Sequence, residues 1–186
     1  MKRLIIVGNQ IDIKNNYEEF INNSDYVIRF NKIENYNKQT GTKTDELVCR
    51  YANAFDIIHG FNNEYNYLND KIKLDKINFT VIINTFNDIK AYKIVHNIVK
   101  KNNISNLKII YNNLNDSYNG KADTNYTSTG KALIENILRN PLYINYEKYI
   151  IGFNQFNINV NGGHFWKLER EQINEYINNN ILIKLE

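Results

Sequence analysis

The sequence predicts a single α/β domain in which a mostly parallel sheet carries helices on both faces. Three observations point there. Short, largely apolar runs, Leu4-Ile5-Ile6-Val7 and Phe79-Thr80-Val81-Ile82-Ile83, have the length of strands and the two-sided hydrophobicity of a parallel sheet interior. Segments with helical spacing alternate with such runs, the pattern of a sheet built from strand–helix–strand crossovers. And 186 residues suffice for one sizeable core, whereas two would be cramped.

Taken in order, Arg3 to Val7 reads as a strand closed by Gly8, and Asn16 to Asn22 as a brief helix. Asp25 to Phe30 is a second strand stopping at Asn31, followed by a polar loop, Asn35 to Thr44, that contains Gly41. Glu46 to Tyr51 and Phe79 to Asn84 are strands, with the polar stretch Asn62 to Lys76 between them unassigned. Asp88 opens a helix to Lys101 on apolar positions Ile89, Tyr92, Val95 and Val99. Leu107 to Tyr111 is strand, and Leu114 to Tyr126 is a loop rich in Asn, Asp and Gly. A helix starts at Ser128 or Thr129 and runs through Leu138, where Pro141 prevents continuation. Tyr149 to Ile151 is a strand ended by Gly152, Trp166 to Ile177 a helix, and Ile181 to Leu185 a last strand. Neither repeat nor linker divides residues 1–186, so one domain is expected.

Composition narrows the function classes. A net charge of +3 without a dense Lys/Arg stripe gives no electrostatic footprint for nucleic acid. No apolar run approaches the roughly 20 residues of a membrane helix. Met1-Lys2-Arg3 precedes an apolar stretch too short for a signal peptide and without a cleavage site, so a buried strand is expected there. The single cysteine, Cys49, permits no intramolecular disulfide, suits a cytoplasmic location and reads as a small buried strand residue. Heavy use of Asn, Ile, Lys and Tyr resembles an AT-rich coding bias, so only an Asn held at a strand end carries weight.

Three strand ends qualify as ligand-facing: Val7-Gly8-Asn9, Arg29-Phe30-Asn31 and Ile151-Gly152-Phe153. In open α/β sheets ligands bind outside the carboxyl ends of strands. Glycine there lets backbone approach a ligand, and Asn offers both donor and acceptor. Thr127-Ser128-Thr129-Gly130 opens a helix, where free N–H groups and a partial positive charge suit phosphate or carboxylate. Neither GxGxxG nor a Walker lysine motif occurs, which disfavours dinucleotides and nucleoside triphosphates. His59 and His96 lack partners at metal-ligand spacing, and no metal site is expected. His164 follows Gly162-Gly163 at a helix start, with Glu169 five residues on, and the helix dipole would keep its imidazole neutral and available as a base. Each piece alone has a structural alternative: a turn for Gly8-Asn9, an N-cap for Ser128, a helix cap for His164.

Their order resembles a known family. Val7-Gly8-Asn9, Ser24 to Asn31 and Gly41-Thr42-Lys43-Thr44 resemble the large sialyl motif of glycosyltransferase family 29. Tyr126 to Gly130 with Tyr149 to Phe153 resembles the small motif, and His164-Phe-Trp-Lys-Leu-Glu169 matches the His-x4-Glu spacing of the very small one. Bacterial family 42 sialyltransferases look similar too. The resemblance spans roughly residues 3–177 and implies a Rossmann-like domain.

It further implies transfer of sialic acid or a related sugar from a CMP-activated donor to a glycan acceptor. The mechanism would be inverting and metal-independent, with no cofactor besides the CMP-sugar itself. Carried over, Gly8, Asn9, Asn31, Gly152 and Phe153 would line the donor site, and Ser128, Thr129 and Gly130 would receive the phosphate or sugar carboxylate through hydroxyls and N–H groups. His164 would act as the base and Glu169 would support that region. No nucleic acid partner is implied, and peripheral membrane association and oligomerisation are left open. A CMP-sugar hydrolase and a catalytically silent nucleotide-binding module are the alternatives. The pattern departs at the third strand end, where Arg50 stands, and in lacking the disulfide of the animal enzymes.

Overall fold

A computed structural model describes residues 1–10, 12–31, 33, 35–36, 38–50, 76–83, 93, 96, 106–111, 128–153 and 166–185. In chain order the described elements are β1 (Lys2–Val7), α1 (Glu18–Asn22), β2 (Tyr26–Phe30), β3 (Glu46–Arg50), β4 (Asn78–Ile83), β5 (Leu107–Tyr111), α2 (Thr129–Arg139), β6 (Tyr146–Ile151), α3 (Trp166–Asn178) and β7 (Ile183–Lys184). A short 3-10 turn, Pro141–Tyr143, joins α2 to β6. The expected helix at 88–101 lies outside the described residues except for helical backbone at Lys93 and His96, and the expected loop at 114–126 lies wholly outside them.

The seven strands form one sheet in the order β5-β4-β3-β2-β1-β6-β7, with every pairing parallel. The chain steps outward from β1 to β5, then returns to add β6 on the other side of β1. That reversal is a topological switch point, the place where open parallel sheets hold ligands. The α/β class and the parallel sheet agree with the sequence.

Alternation along the strands makes two cores. Leu4, Ile6, Ile28, Phe30 and Val48 pack on one face against Leu133, Ile134 and Ile137 of α2 and Ile173 of α3. Ile5, Val7, Val27 and Ile151 pack on the other against Ile13 and Ile21. Each such side chain contributes about 1.5–3 kcal/mol on full burial, so the sheet's centre is where the stability concentrates. The rim away from the switch point is fixed by Glu46, 4% exposed, whose carboxylate accepts from the hydroxyls of Tyr26 (2.9 Å) and Thr80 (2.5 Å). Burial and the Glu46 charge push the Tyr26 hydroxyl pKa up, keeping it a donor. Cys49 is fully buried and its thiol pKa is raised by that burial, so it serves as core.

Two strands differ from the sequence expectation by more than one residue at an end. β6 begins at Tyr146 instead of Tyr149, because half-buried Tyr146, Glu147 and Lys148 pair with Lys2, Arg3 and Leu4 although they read as polar. β7 contracts to Ile183–Lys184, an exposed edge strand.

Candidate functional site

The site grows from the junction of β1 and β6. The Gly8 N–H donates to the Ile151 carbonyl (2.8 Å) and the Gln10 N–H to the Gly152 carbonyl (2.9 Å), so pairing continues past both strand ends. The two backbones come so close that a Cβ on Gly8 would lie 2.2 Å from the Gly152 carbonyl oxygen. Gly152 itself has φ +74°, a left-handed conformation that leaves β6 in a turn. Hence the expected glycines at 8 and 152 are first a packing requirement, and they deliver Phe153 into the centre of the rim.

Phe153 ties three elements together. Its ring meets Phe30, at the end of β2, edge-on at 5.9 Å between centroids. The same ring covers Gly130 in the first turn of α2, where a Cβ would come within 2.8 Å of Phe153 Cε1. The start of α2, the end of β2 and the β1–β6 switch point therefore share one rim. Gly130→Ala is expected to change stability by no more than about 1 kcal/mol, since the helix-propensity gain opposes displacement of the Phe153 ring. Thermal melting checks it.

Ser128 starts α2 with extended backbone (φ −63°, ψ 152°), its hydroxyl accepting from the Lys131 N–H (3.2 Å). Across from it, fully buried Glu169 of α3 uses both carboxylate oxygens on this one residue. Oε1 accepts from the Ser128 N–H (2.7 Å) and Oε2 from the Ser128 hydroxyl (2.6 Å). Glu169 thus holds the start of α2 through Ser128. The hydroxyl donor of Ser128 is spent on that carboxylate, which differs from the expectation that it would donate to a ligand. The first-turn N–H groups of Thr129 and Gly130 have no intrahelical acceptor, and no partner for them occurs among the described residues. Two orphan N–H groups at the positive end of an eleven-residue helix suit an anionic oxygen.

Asn31 adopts φ +45°, a left-handed turn that Asn tolerates, and ends β2 there. Its N–H donates to the Val48 carbonyl (3.0 Å) and its Oδ1 accepts from the Arg50 N–H (3.3 Å). Its side-chain NH2 has no partner among the described residues. Asn9 lies between the two rim hydrogen bonds of Gly8 and Gln10 and is partly exposed. A cavity of about 410 Å³ opens beside the switch point, lined by Gln10, Asp12, Lys14, Gly152, Phe153 and Lys184 among others. It includes Gly152 and Phe153 but not the helix start or Asn31, so it borders the rim that those residues form and does not coincide with it.

Two residues essential to this geometry were not foreseen, Arg29 and Asn35. Arg29 is completely buried, and Asn35, 1% exposed, donates from Nδ2 to the carbonyls of Gly8 (2.7 Å) and Gln10 (3.1 Å). The signal was present: an arginine inside the apolar strand Val27-Ile28-Arg29-Phe30 has no aqueous face to reach. His164 lies outside the described residues, as does His59, while His96 is exposed. Among the described residues no group of three or more His, Cys, Asp or Glu side chains could hold a metal, and no helix is long and apolar enough to cross a membrane.

No protein-family profile matches the chain, and no curated protein does. Among solved structures, the chain is similar to the crystal structure of a mammalian sialyltransferase in complex with Gal-β-1-3GalNAc-ortho-nitrophenol. The TM-score is 0.59 and the identity 16%, over 99% of this chain and 69% of that one. The likeness is one of fold. What the two share is a Rossmann-like α/β fold.

Proposed function

We propose that this chain is a glycosyltransferase that moves sialic acid or a related sugar from a CMP-activated donor to a glycan acceptor. One observation carries the proposal: Gly8-Asn9, Asn31, the α2 start and Gly152-Phe153 converge on the rim at the switch point, where the family motifs in the sequence would need them. The N–H groups of Thr129 and Gly130 hold the phosphate or the sugar carboxylate, and Asn9 and the side-chain NH2 of Asn31 hold the nucleotide side. Preorganised N–H donors aimed at developing phosphate charge are each worth roughly 10²–10³ in rate.

In the reaction, the acceptor hydroxyl oxygen attacks the anomeric carbon while its proton passes to the imidazole of His164. The bond from that carbon to the phosphate oxygen breaks, CMP departs with the electron pair, and configuration inverts. What supports His164 is sequence position, two residues ahead of the helix whose Glu169 touches Ser128.

Purified protein given CMP-sialic acid and a lactose-type acceptor is expected to release CMP, with activity surviving EDTA and falling by about 10²-fold or more in His164→Ala, the scale of lost general-base catalysis. Product analysis without acceptor separates transfer from hydrolysis. Failure of CMP and CMP-sugar alike to bind at millimolar concentration overturns the proposal.

A further inference from the structure

Arg29 uses every donor it has. Nε donates to the Lys43 carbonyl (3.0 Å), and Nη1 donates to Thr40 Oγ1 (3.0 Å) and Asn35 Oδ1 (3.4 Å). Nη2 donates to the carbonyls of Thr40 (2.6 Å) and Gly41 (3.0 Å). Five N–H donors meet five acceptors, and every one is neutral. Burial lowers the guanidinium pKa to about 10, so it is still a cation at neutral pH. Among the described residues this buried charge is bonded to neutral oxygens alone, which is unfavourable to retain unless it organises something that a neutral residue could not.

What it organises is the loop after β2. Arg29 gathers carbonyls from residues 40, 41 and 43 and orients the Asn35 amide, while the Thr40 hydroxyl bonds the Asn35 carbonyl (2.8 Å). With its oxygen turned to Arg29, the Asn35 NH2 points to the Gly8 and Gln10 carbonyls, the two residues flanking Asn9. Asn35 also sits under Gly152, within 3.3 Å of where a Cβ there would be.

The geometry points to Arg29 and Asn35 as positioning residues that fix the Gly8–Gln10 turn and so set where Asn9 meets the ligand, without touching the ligand themselves. The role in ligand binding rests on the donor-site reading above; the fixing of the turn does not. Asn35→Ala removes both bonds to the turn and keeps the β1–β6 hydrogen bonds. Hydrogen exchange is read at the Gly8 and Gln10 amides and, as internal reference, at the Val27 and Ile28 amides of β2.

The expected result is exchange at least about tenfold faster at Gly8 and Gln10 with the reference amides little changed, and about tenfold weaker binding of CMP. Should Asn35→Ala fail to fold, Asn35→Asp retains the acceptor for Arg29 and gives the same readouts. Unchanged exchange at 8 and 10 overturns the inference, as does equal acceleration in β2, which would mean a general loss of stability. Faster local exchange with unchanged CMP affinity overturns the link to the ligand. If the wild-type protein binds no CMP, the donor-site reading fails while the exchange arm still decides the positioning role of Asn35.

Discussion

Gly8→Ala is expected to destabilise the protein by about 3 kcal/mol or more, at the upper end of overpacking penalties. For a domain of this size that corresponds to a melting midpoint lowered by roughly 6–12 °C. The reason is the kind of atom in the way. A methyl on Gly8 would stand 2.2 Å from the carbonyl oxygen of Gly152 and 2.7 Å from its carbon, both main chain, so no rotamer change relieves the clash. β1 and β6 would have to separate where the Gly8 and Gln10 N–H groups bond to the Ile151 and Gly152 carbonyls. Gly130→Ala is the matched control, because its obstacle is a ring that can turn. If Gly8→Ala melts like the wild type, the close crossing of the two strand ends does not exist.

Glu169→Ala is expected to have the second large effect, a loss of about 3 kcal/mol. Two charge-assisted hydrogen bonds disappear, and a buried Ser128 N–H and hydroxyl are left without their acceptor. Glu169→Gln keeps the shape and one acceptor oxygen, so about 1 kcal/mol is expected, the size of a weakened neutral bond. Denaturant melts of the pair measure the difference. Equal stabilities for the two variants would mean that the charge on Glu169 contributes nothing. A loss that Ser128→Ala does not share in part would mean that Glu169 acts through another group.

How much of this was legible in advance follows from what each signal depends on. β1, β2 and β4 announce themselves because strands buried on both faces must be mostly apolar. The half-buried first three residues of β6, Tyr146, Glu147 and Lys148, give no such signal. Gly8, Asn31, the Ser128 helix start and Gly152 were readable because backbone constraints act locally at strand and helix ends. The tether from Glu169 to Ser128 spans 41 residues, and spacing hints at it only through the family motif. Asn35 could not be singled out in a chain so rich in Asn, since its value comes from a buried arginine six residues away orienting its amide. Arg29 was visible as a charge in an apolar strand, but nothing local says which carbonyls surround it.

The strand order has a consequence for how the chain reaches its native state. β1 is central, yet one of its two neighbours is β6, so Lys2 must wait for Tyr146 before its ladder is complete. Contacts this distant along the chain are slow to form, because loop-closure entropy is lost before they yield any stabilisation. Until residues 146–151 have been synthesised and docked, Leu4 to Val7 present an edge of unpaired N–H and C=O groups, flanked by apolar side chains, to any other nascent chain. β1 precedes β6 by more than a hundred residues yet is completed only by it, and self-association during synthesis is the hazard that this topology carries.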